Sequence, residues 1–363
     1  MRHGKIKKKL AIYLPMILSC IILFLLIYPK HETLFSVIFN SDAYYLSLSL
    51  AFSVLSYFAM GFSLWETLKI MGHKISLLDS VAIAWVSTTV NYFLSSGGVS
   101  GFAVRAHLLA KRHVPYSICI TSSVVLTAFI YLILDIIILN GFVMHFLSLK
   151  ELNGEMIEGI IGISVLLLVS SFFVTIIYHH EFRSVWAKKI YHLLNKIVYF
   201  FSKKEIPPED FELFETQLNE GVYKIHEKKY ELPKVASYIA FDWICNILIL
   251  FFAFKAIGVK ISFAKLIIGF SFGMLMTVIP ILPGGLGAME AAMAAAYSNM
   301  GIQWEKALAA ALIFRIFYYI IPSLISVFVY FGLKISEPKF DYENFIKRAS
   351  RIKKSKEKIN YDI

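Results

Sequence analysis

Gly72-His73-Lys74-Ile75-Ser76 returns 186 residues later as Gly258-Val259-Lys260-Ile261-Ser262. The residues after each copy repeat as well. A Gly-Gly pair comes at nearly the same distance, Gly97-Gly98 in the first and Gly284-Gly285 in the second. Val114-Pro115-Tyr116-Ser117 then aligns with Ile302-Gln303-Trp304-Glu305 at an offset of 188. An offset that drifts by two residues over more than forty positions marks a duplicated unit. In an apolar chain, internal duplication points to a transporter fold.

The chain is apolar. Of its 363 residues 58% are hydrophobic and 17% charged, and the mean hydropathy is +0.67. A soluble fold of this size cannot hide so much apolar surface, so the long apolar runs predict membrane-spanning helices. They fall at roughly 10–28, 44–68, 78–95, 115–140, 156–178, 235–257, 262–281 and 304–333. The first follows Lys5-Ile6-Lys7-Lys8-Lys9 and lacks a small-x-small cleavage site, which predicts a retained anchor rather than a signal peptide. Cys20, Cys119 and Cys245 lie in apolar segments without metal or redox spacing and read as buried small residues.

Two shorter helical stretches, about 99–112 and 286–300, each follow a Gly-Gly pair. At 1.5 Å per residue they reach only ~21–23 Å, too short for a ~30 Å hydrocarbon core. Each pairs with the span before it as a hairpin that enters and leaves on one side, 78–112 and 262–300. Charge then sets the sidedness. Segments 1–9, 69–77, 105–112, 179–234 and 334–363 hold 29 of the 36 Lys and Arg residues, which predicts a cytoplasmic location for them and for both termini. The first hairpin then opens inward and the second outward, an inverted-topology repeat. The net charge of +11 belongs to these loops and is not a nucleic-acid signal.

The expected fold is all-α, a polytopic membrane protein of about eight spans including the two hairpins with half-helices. Residues 1–42 form the N-terminal tail, first span and outer loop, and 43–178 the first repeat with its following span. Residues 179–234 form a cytoplasmic amphipathic insert, 235–335 the second repeat, and 336–363 a basic tail. In the insert, Phe182, Val185, Trp186, Ile190 and Leu193 share one helical face with lysines elsewhere, suited to an anionic leaflet. A second helix after Pro207-Pro208 carries Phe211, Phe214, Leu218, Val222 and Ile225 on its apolar face.

Candidate site residues come from the helix breaks and the charges at depth. Gly97, Gly98, Gly284 and Gly285 interrupt apolar helices, and backbone freed inside a membrane is satisfied by protein or by water in a cavity. The new helices after them begin near Val99 and Leu286 and aim positive dipole ends at mid-membrane, a pair of sites for an anion such as phosphate. The competing reading is that the glycines serve close helix packing. Arg315 lies eleven residues into the last span and needs an acidic partner or an anionic ligand. Glu290, five residues after the second Gly-Gly, is the first candidate partner, and a structural ion pair between hairpin and span is the plainer outcome. Asp242 stands eight residues into its span, and Arg105 follows the first Gly-Gly by seven. Asp135, Glu66 and Arg105 lie nearer the membrane surfaces. The sequence carries no Walker loop, zinc spacing or G-x-S-x-G, so neither cofactor nor metal is expected, and His179-His180-Glu181 reads as an interfacial cluster.

The stretch Ile279-Pro280-Ile281-Leu282-Pro283-Gly284-Gly285-Leu286-Gly287-Ala288-Met289-Glu290, with Gly301-Ile302 and Ala307 through Arg315, resembles a signature of the lysylphosphatidylglycerol synthase transmembrane region, a flippase-like family. Asn91, Gly97-Gly98, Gly101 and Arg105, followed by Lys111-Arg112-His113, resemble its first signature, and the likeness covers roughly residues 10–335. Ser95-Ser96 stands where the family often has a proline turn, and Thr127 where an Arg is common. The resemblance implies a unit that moves lipid across the membrane, in two-part members an aminoacylated phosphatidylglycerol made by a soluble C-terminal synthase domain. After Leu333 thirty residues remain, too few for such a domain, so lipid movement rather than lysyl transfer is the expected activity. A separate lipid-modifying enzyme, or a polyprenyl-phosphate carrier, would then supply the substrate. The alternative is a membrane scaffold or accessory subunit of a lipid- or glycan-modifying enzyme. The expected location is the plasma membrane.

Overall fold

The computed structural model describes residues 17–93, 99–149, 164, 167–168, 170–202, 207–278 and 282–336. All regular structure among them is helical. In chain order the helices are α1 (Ile17–Phe39, with a short 3₁₀ turn at Tyr28–Lys30), α2 (Ala43–Ile70), α3 (Leu77–Phe93), α4 (Val99–Ala110) and α5 (Tyr116–Leu149). They continue with α6 (His180–Ser202), α7 (Pro208–Glu227), α8 (Leu232–Ala256), α9 (Phe263–Val278) and α10 (Ala288–Asn299). Last come α11 (Trp304–Arg315) and α12 (Ile321–Ile335), joined by a π-type turn at Ile316–Ile320. Among the described residues five segments are long and apolar enough to cross a membrane: Ile17–Phe39, Ala43–Ile70, Tyr116–Met144, Lys229–Ala256 and Trp304–Ile335. Their outward faces are apolar, as lipid requires; on α12, Leu324, Phe328 and Phe331 are exposed.

The duplication is visible in the backbone. α2 and α8 both end on a glycine in the left-handed region, Gly72 (φ 81°) and Gly258 (φ 71°). Past each glycine the next N–H turns back to the helix, His73 to the Leu68 carbonyl and Val259 to the Phe254 carbonyl, both at 2.9 Å. Such a cap satisfies carbonyls that the last helical turn leaves open. It recurs after the half-helices α4 and α10, at His113 (φ 61°) and Gly301 (φ 89°). Here Val114 N–H returns to Leu109 (3.2 Å) and Ile302 N–H to Tyr297 (3.0 Å).

Both expected hairpins form. α4 runs back along α3, with Gly101 against the Ser87 carbonyl and Asn91, and Arg105 Nε donating to Ser87 Oγ at 3.3 Å. α10 runs back along α9, with Gly269 against the Tyr297 ring and Gly273 against Met293. Tyr297 Oη donates to the Leu266 carbonyl at 2.7 Å. The hairpin mouths are tied at equivalent positions, by an Asp79–Arg112 ion pair (2.9 Å) in the first and by Lys265 Nζ to the Met300 carbonyl (2.7 Å) in the second.

The mouths open on opposite faces. α2 and α8, the leading helices of the two repeats, pack antiparallel: Ser49 Oγ donates to the Ile249 carbonyl (3.2 Å), Ser56 Oγ to Asp242 Oδ1, and Lys234 Nζ lies 3.3 Å from Glu66. Antiparallel packing of equivalent helices inverts one repeat relative to the other. The first mouth sits with the end of α12, where Arg112 Nη2 reaches the Leu333 carbonyl (3.1 Å) and Ser336 Oγ (2.9 Å). At the other end Asp42 N–H bonds the Ala256 carbonyl (2.8 Å) and Lys30 pairs with Glu305.

The insert lies against the first face. Arg183 on α6 grips Asn219 on α7 (3.0 and 2.9 Å), and Lys224 Nζ reaches the Met71 carbonyl (3.4 Å). Leu218, Val222 and Ile225 of α7 are buried, whereas Val185, Ile190 and Leu193 of α6 stay exposed. The basic tail after Ser336 lies outside the described residues.

Candidate functional site

The second helix break is built from three left-handed glycines, Gly284 (φ 53°), Gly285 (φ 65°) and Gly287 (φ 85°). Gly284 has no room for a side chain: a Cβ there would stand 2.8 Å from the Tyr92 carbonyl oxygen. The turn therefore wedges against the end of α3 and delivers α10 with Met289 and Glu290 of its first turn buried. There Glu290 folds back, and its Oε2 accepts the Gly287 N–H at 2.8 Å. This is the reciprocal half of a capping box. The half-helix end that the sequence offered to an anion thus already holds a carboxylate, the chain's own.

Arg315 pairs with Glu290 Oε1, the partnership its depth demanded. Its Nη1 donates to the Gly284 carbonyl (3.0 Å), Nη2 lies 3.7 Å from Met289 Sδ, and the guanidinium sits 4.4 Å from the centre of the Tyr319 ring. Glu290 is fully buried and Arg315 is 5% exposed. One guanidinium thus binds the turn, the half-helix and the last span together.

The π-type turn after Arg315 has a local cause. Pro322 has no N–H to offer the carbonyls one turn before it. Side chains from α2 take over: Ser53 Oγ donates to the Phe317 carbonyl (2.6 Å) and Tyr57 Oη to the Tyr318 carbonyl (2.9 Å). Broken helices persist in membranes only when freed carbonyls are satisfied in this way. Tyr57 and Tyr318 have counterparts at offsets of 186 and 188, Trp243 and Ile130, and these bond too, Trp243 Nε1 donating to the Ile130 carbonyl at 3.2 Å.

A second polar centre lies where the repeats meet. Asp242 is buried and accepts from Ser56 Oγ and from Asn246 Nδ2 (3.2 Å). Among the described residues no cation pairs with it. Tyr57, next to Ser56 in the chain, packs on Tyr318 with ring centres 5.9 Å apart, and Tyr318 packs on Tyr92 at 5.7 Å. They also bridge to Arg315: Tyr92 Oη donates to Tyr318 Oη at 2.9 Å, and the Tyr92 and Tyr319 rings are 4.2 Å apart. The two centres are the ends of one buried tyrosine cluster.

The structure thus gathers Gly284, Gly285, Glu290 and Arg315, and sets Asp242 beyond the tyrosines. Arg105 remains in the first hairpin beside Ser87. Gly97 and Gly98 lie outside the described residues. Glu66 sits between Lys69 and Lys234, and Asp135 Oδ2 accepts from Ser170 (2.7 Å). Among the described residues no group of His, Cys, Asp or Glu is arranged to hold a metal. Sequence reasoning missed Ser53, Tyr57, Tyr92, Tyr318 and Tyr319; only Pro322, inside an apolar span, signalled that carbonyls there would need partners. A cleft of about 350 Å³ between α3 and α12 carries the hydroxyls of Thr89, Ser323 and Ser326 among Ile320, Leu324 and Val327.

The lysylphosphatidylglycerol synthase TM region matches residues 12–326. A UPF0104 membrane protein of Methanothermobacter thermautotrophicus is 23% identical over 309 residues, covering 82% of this chain and 87% of its own. A UPF0104 membrane protein of Pyrococcus horikoshii is 22% identical over 275 residues, 72% of this chain and 79% of its own. The phosphatidylglycerol lysyltransferase of Staphylococcus aureus is 28% identical over 86 residues, 24% of this chain and 10% of that enzyme.

Proposed function

The chain belongs to the family of the lysylphosphatidylglycerol synthase transmembrane region, and on that premise we propose that it moves a phosphate-bearing lipid between membrane leaflets. The observation that carries this reading is Arg315: a cation at mid-depth, held by a carboxylate at the N-terminus of a broken helix. A carboxylate there is a stand-in for an anionic ligand. In the proposed cycle a head-group phosphate displaces Glu290 from Arg315 and from the Gly287 N–H. Freed Glu290 then balances a cationic head group, as an aminoacyl-phosphatidylglycerol would bring. A polyprenyl phosphate would use the same anion site without that second contact. The inverted repeat supports alternating access, because each half offers the other's arrangement from the opposite face.

Arg105 and the Gly97-Gly98 pair are the proposed counterpart in the first repeat. Asp242 is the proposed carrier of a coupling proton. Glu290 suits that role less well, being engaged on both oxygens. The excess of Lys and Arg on the face of the first hairpin mouth supports a plasma-membrane orientation with cytoplasmic termini. The lysyltransferase relatives match over a tenth of their own length, so transfer of lysine is not carried over from them.

The closed state of the Glu290–Arg315 pair favours a second reading, in which the pair is architecture and the chain is a scaffold or accessory subunit of a lipid-modifying enzyme. Reconstitution in liposomes with head-group-labelled phosphatidylglycerol, its lysyl ester or a polyprenyl phosphate separates the two. Movement of one of these, lost in Arg315→Ala at unchanged protein level, supports transport. Movement of none favours the scaffold.

A further inference from the structure

We propose that a cleft at the end of α2 binds the phosphate-bearing head group of an anionic phospholipid from the adjoining leaflet, at a site apart from the transport path. The cleft measures about 320 Å³ and is lined by Trp65, Lys69, Lys74 and Ile75. That volume falls within the ~300–1,000 Å³ typical of small-molecule pockets.

Its depth suits a head group. α2 has 28 residues, so at ~1.5 Å each it is ~42 Å long, some 12 Å more than the hydrocarbon core. The turns around Trp65 and Lys69 therefore stand at the membrane–water boundary, where tryptophan and lysine settle.

The charges do not balance within the protein. Glu66 is buried between Lys69 Nζ (3.4 Å) and Lys234 Nζ (3.3 Å), one carboxylate shared by two ammonium groups. Lys224 Nζ approaches from α7 to the Met71 carbonyl, and Lys74 stands exposed at the cleft wall. Asp79, the next acidic group along the chain, is committed to Arg112. Lys69 and Lys234 thus share one carboxylate, and among the described residues Lys74 makes no ion pair, which leaves the cleft positively charged and open to an anion.

The walls favour a lipid over a soluble anion. Lys69 Nζ sits 5.2 Å from the centre of the Trp65 ring, which orients the ammonium inside the cleft. Trp65 and Ile75 supply apolar surface for the glycerol and the first acyl carbons below the phosphate. This inference stands whether or not the chain transports lipid.

Trp65 is its own reporter. The full chain is reconstituted in bilayers containing brominated phosphatidylglycerol or brominated phosphatidylcholine, and tryptophan quenching is compared with that of Trp65→Phe. The difference removes the other four of the five tryptophans. Phosphatidylglycerol should quench Trp65 at a several-fold lower mole fraction than phosphatidylcholine. Lys69→Gln with Lys74→Gln should erase that preference, and Lys69→Arg with Lys74→Arg should keep it, which separates charge from a folding defect. Equal quenching by the two lipids overturns the proposal. So does protection of Trp65 by inorganic phosphate without any preference for phosphatidylglycerol, which would assign the cleft to a soluble anion.

Discussion

Ser56 donates a hydrogen bond to Asp242, and the two residues occupy the same position in the two repeats, 186 residues apart. Equivalent positions of an inverted pair can touch only on the pseudo-two-fold axis. This contact therefore marks the axis, between antiparallel α2 and α8. In the proposed transport cycle a residue there would keep its central place whichever half opened, which is the ground for proposing Asp242 as the coupling residue.

The axis gives a swap experiment. Asp242→Ser alone loses an acceptor, and Ser56→Asp alone brings two carboxyl groups together. The double variant, Ser56→Asp with Asp242→Ser, rebuilds the same pair from the other side. Thermal unfolding in detergent should show a coupling of about 1–3 kcal/mol in favour of the double variant. Additive losses would mean that the two sides of the axis are not interchangeable.

Glu290 and Arg315 separate architecture from transport. Removing one partner leaves a buried charge uncompensated, so Glu290→Ala or Arg315→Ala should cost about 3–5 kcal/mol of stability. Replacing both, Glu290→Leu with Arg315→Met, should recover part of that stability, because apolar pairs of similar size replace buried ion pairs well while the Gly287 N–H and the Gly284 carbonyl lose their partners. Lipid movement should stay lost. A stable double variant that still moves lipid at the normal rate would remove Arg315 from the head-group path.

The Tyr57 hydroxyl replaces the N–H that Pro322 lacks. Tyr57→Phe should therefore destabilise by about 1–3 kcal/mol, the cost of an orphaned buried carbonyl. In a Pro322→Ala background the backbone regains its donor, and the same change should cost clearly less. Equal costs in both backgrounds, measured as shifts in unfolding temperature, would show that the hydroxyl does something other than mend the helix.

The two glycine classes should separate in the same assay. Gly258→Ala meets no atom within 4 Å and should cost only the left-handed strain, about 1–2 kcal/mol. Gly284→Ala adds a backbone collision with Tyr92 on top of that strain, and should cost more while loosening the seat of Arg315. Similar losses at both positions would argue against a tightly wedged turn.

Much of this was legible in the sequence because turn chemistry is local. Gly72 and Gly258 announced helix ends, and the shared spacing to Gly97-Gly98 and Gly284-Gly285 announced hairpins that a ~30 Å slab forces back on themselves. Arg315 announced a partner because a lone charge at depth is costly, and Glu290, on the first turns of the half-helix, was the first candidate. The capping role of Glu290 was also readable, from its place three residues after Gly287, but a free helix end was expected there. The tyrosine cluster was not readable. Tyr57, Tyr92 and Tyr318 come from three distant segments, and a neutral hydroxyl in an apolar run looks the same whether it bonds a carbonyl or faces a head group.

Sidedness is the remaining test of the duplication. Lys74 and Lys260 are equivalent positions, both exposed, each just past the cap that ends its repeat's leading helix. In a chain whose Cys20, Cys119 and Cys245 are replaced by serine, Lys74→Cys and Lys260→Cys should react with a membrane-impermeant thiol reagent from opposite sides. The excess of Lys and Arg around 69–77 and 179–234 assigns Lys74→Cys to the cytoplasmic side and Lys260→Cys to the outer side. The two assignments are independent. If the sides are opposite but exchanged, the inversion stands and the charge rule fails for this chain. If both cysteines react from one side, α2 and α8 cannot cross the bilayer antiparallel, and the axis through Ser56 and Asp242 goes with them.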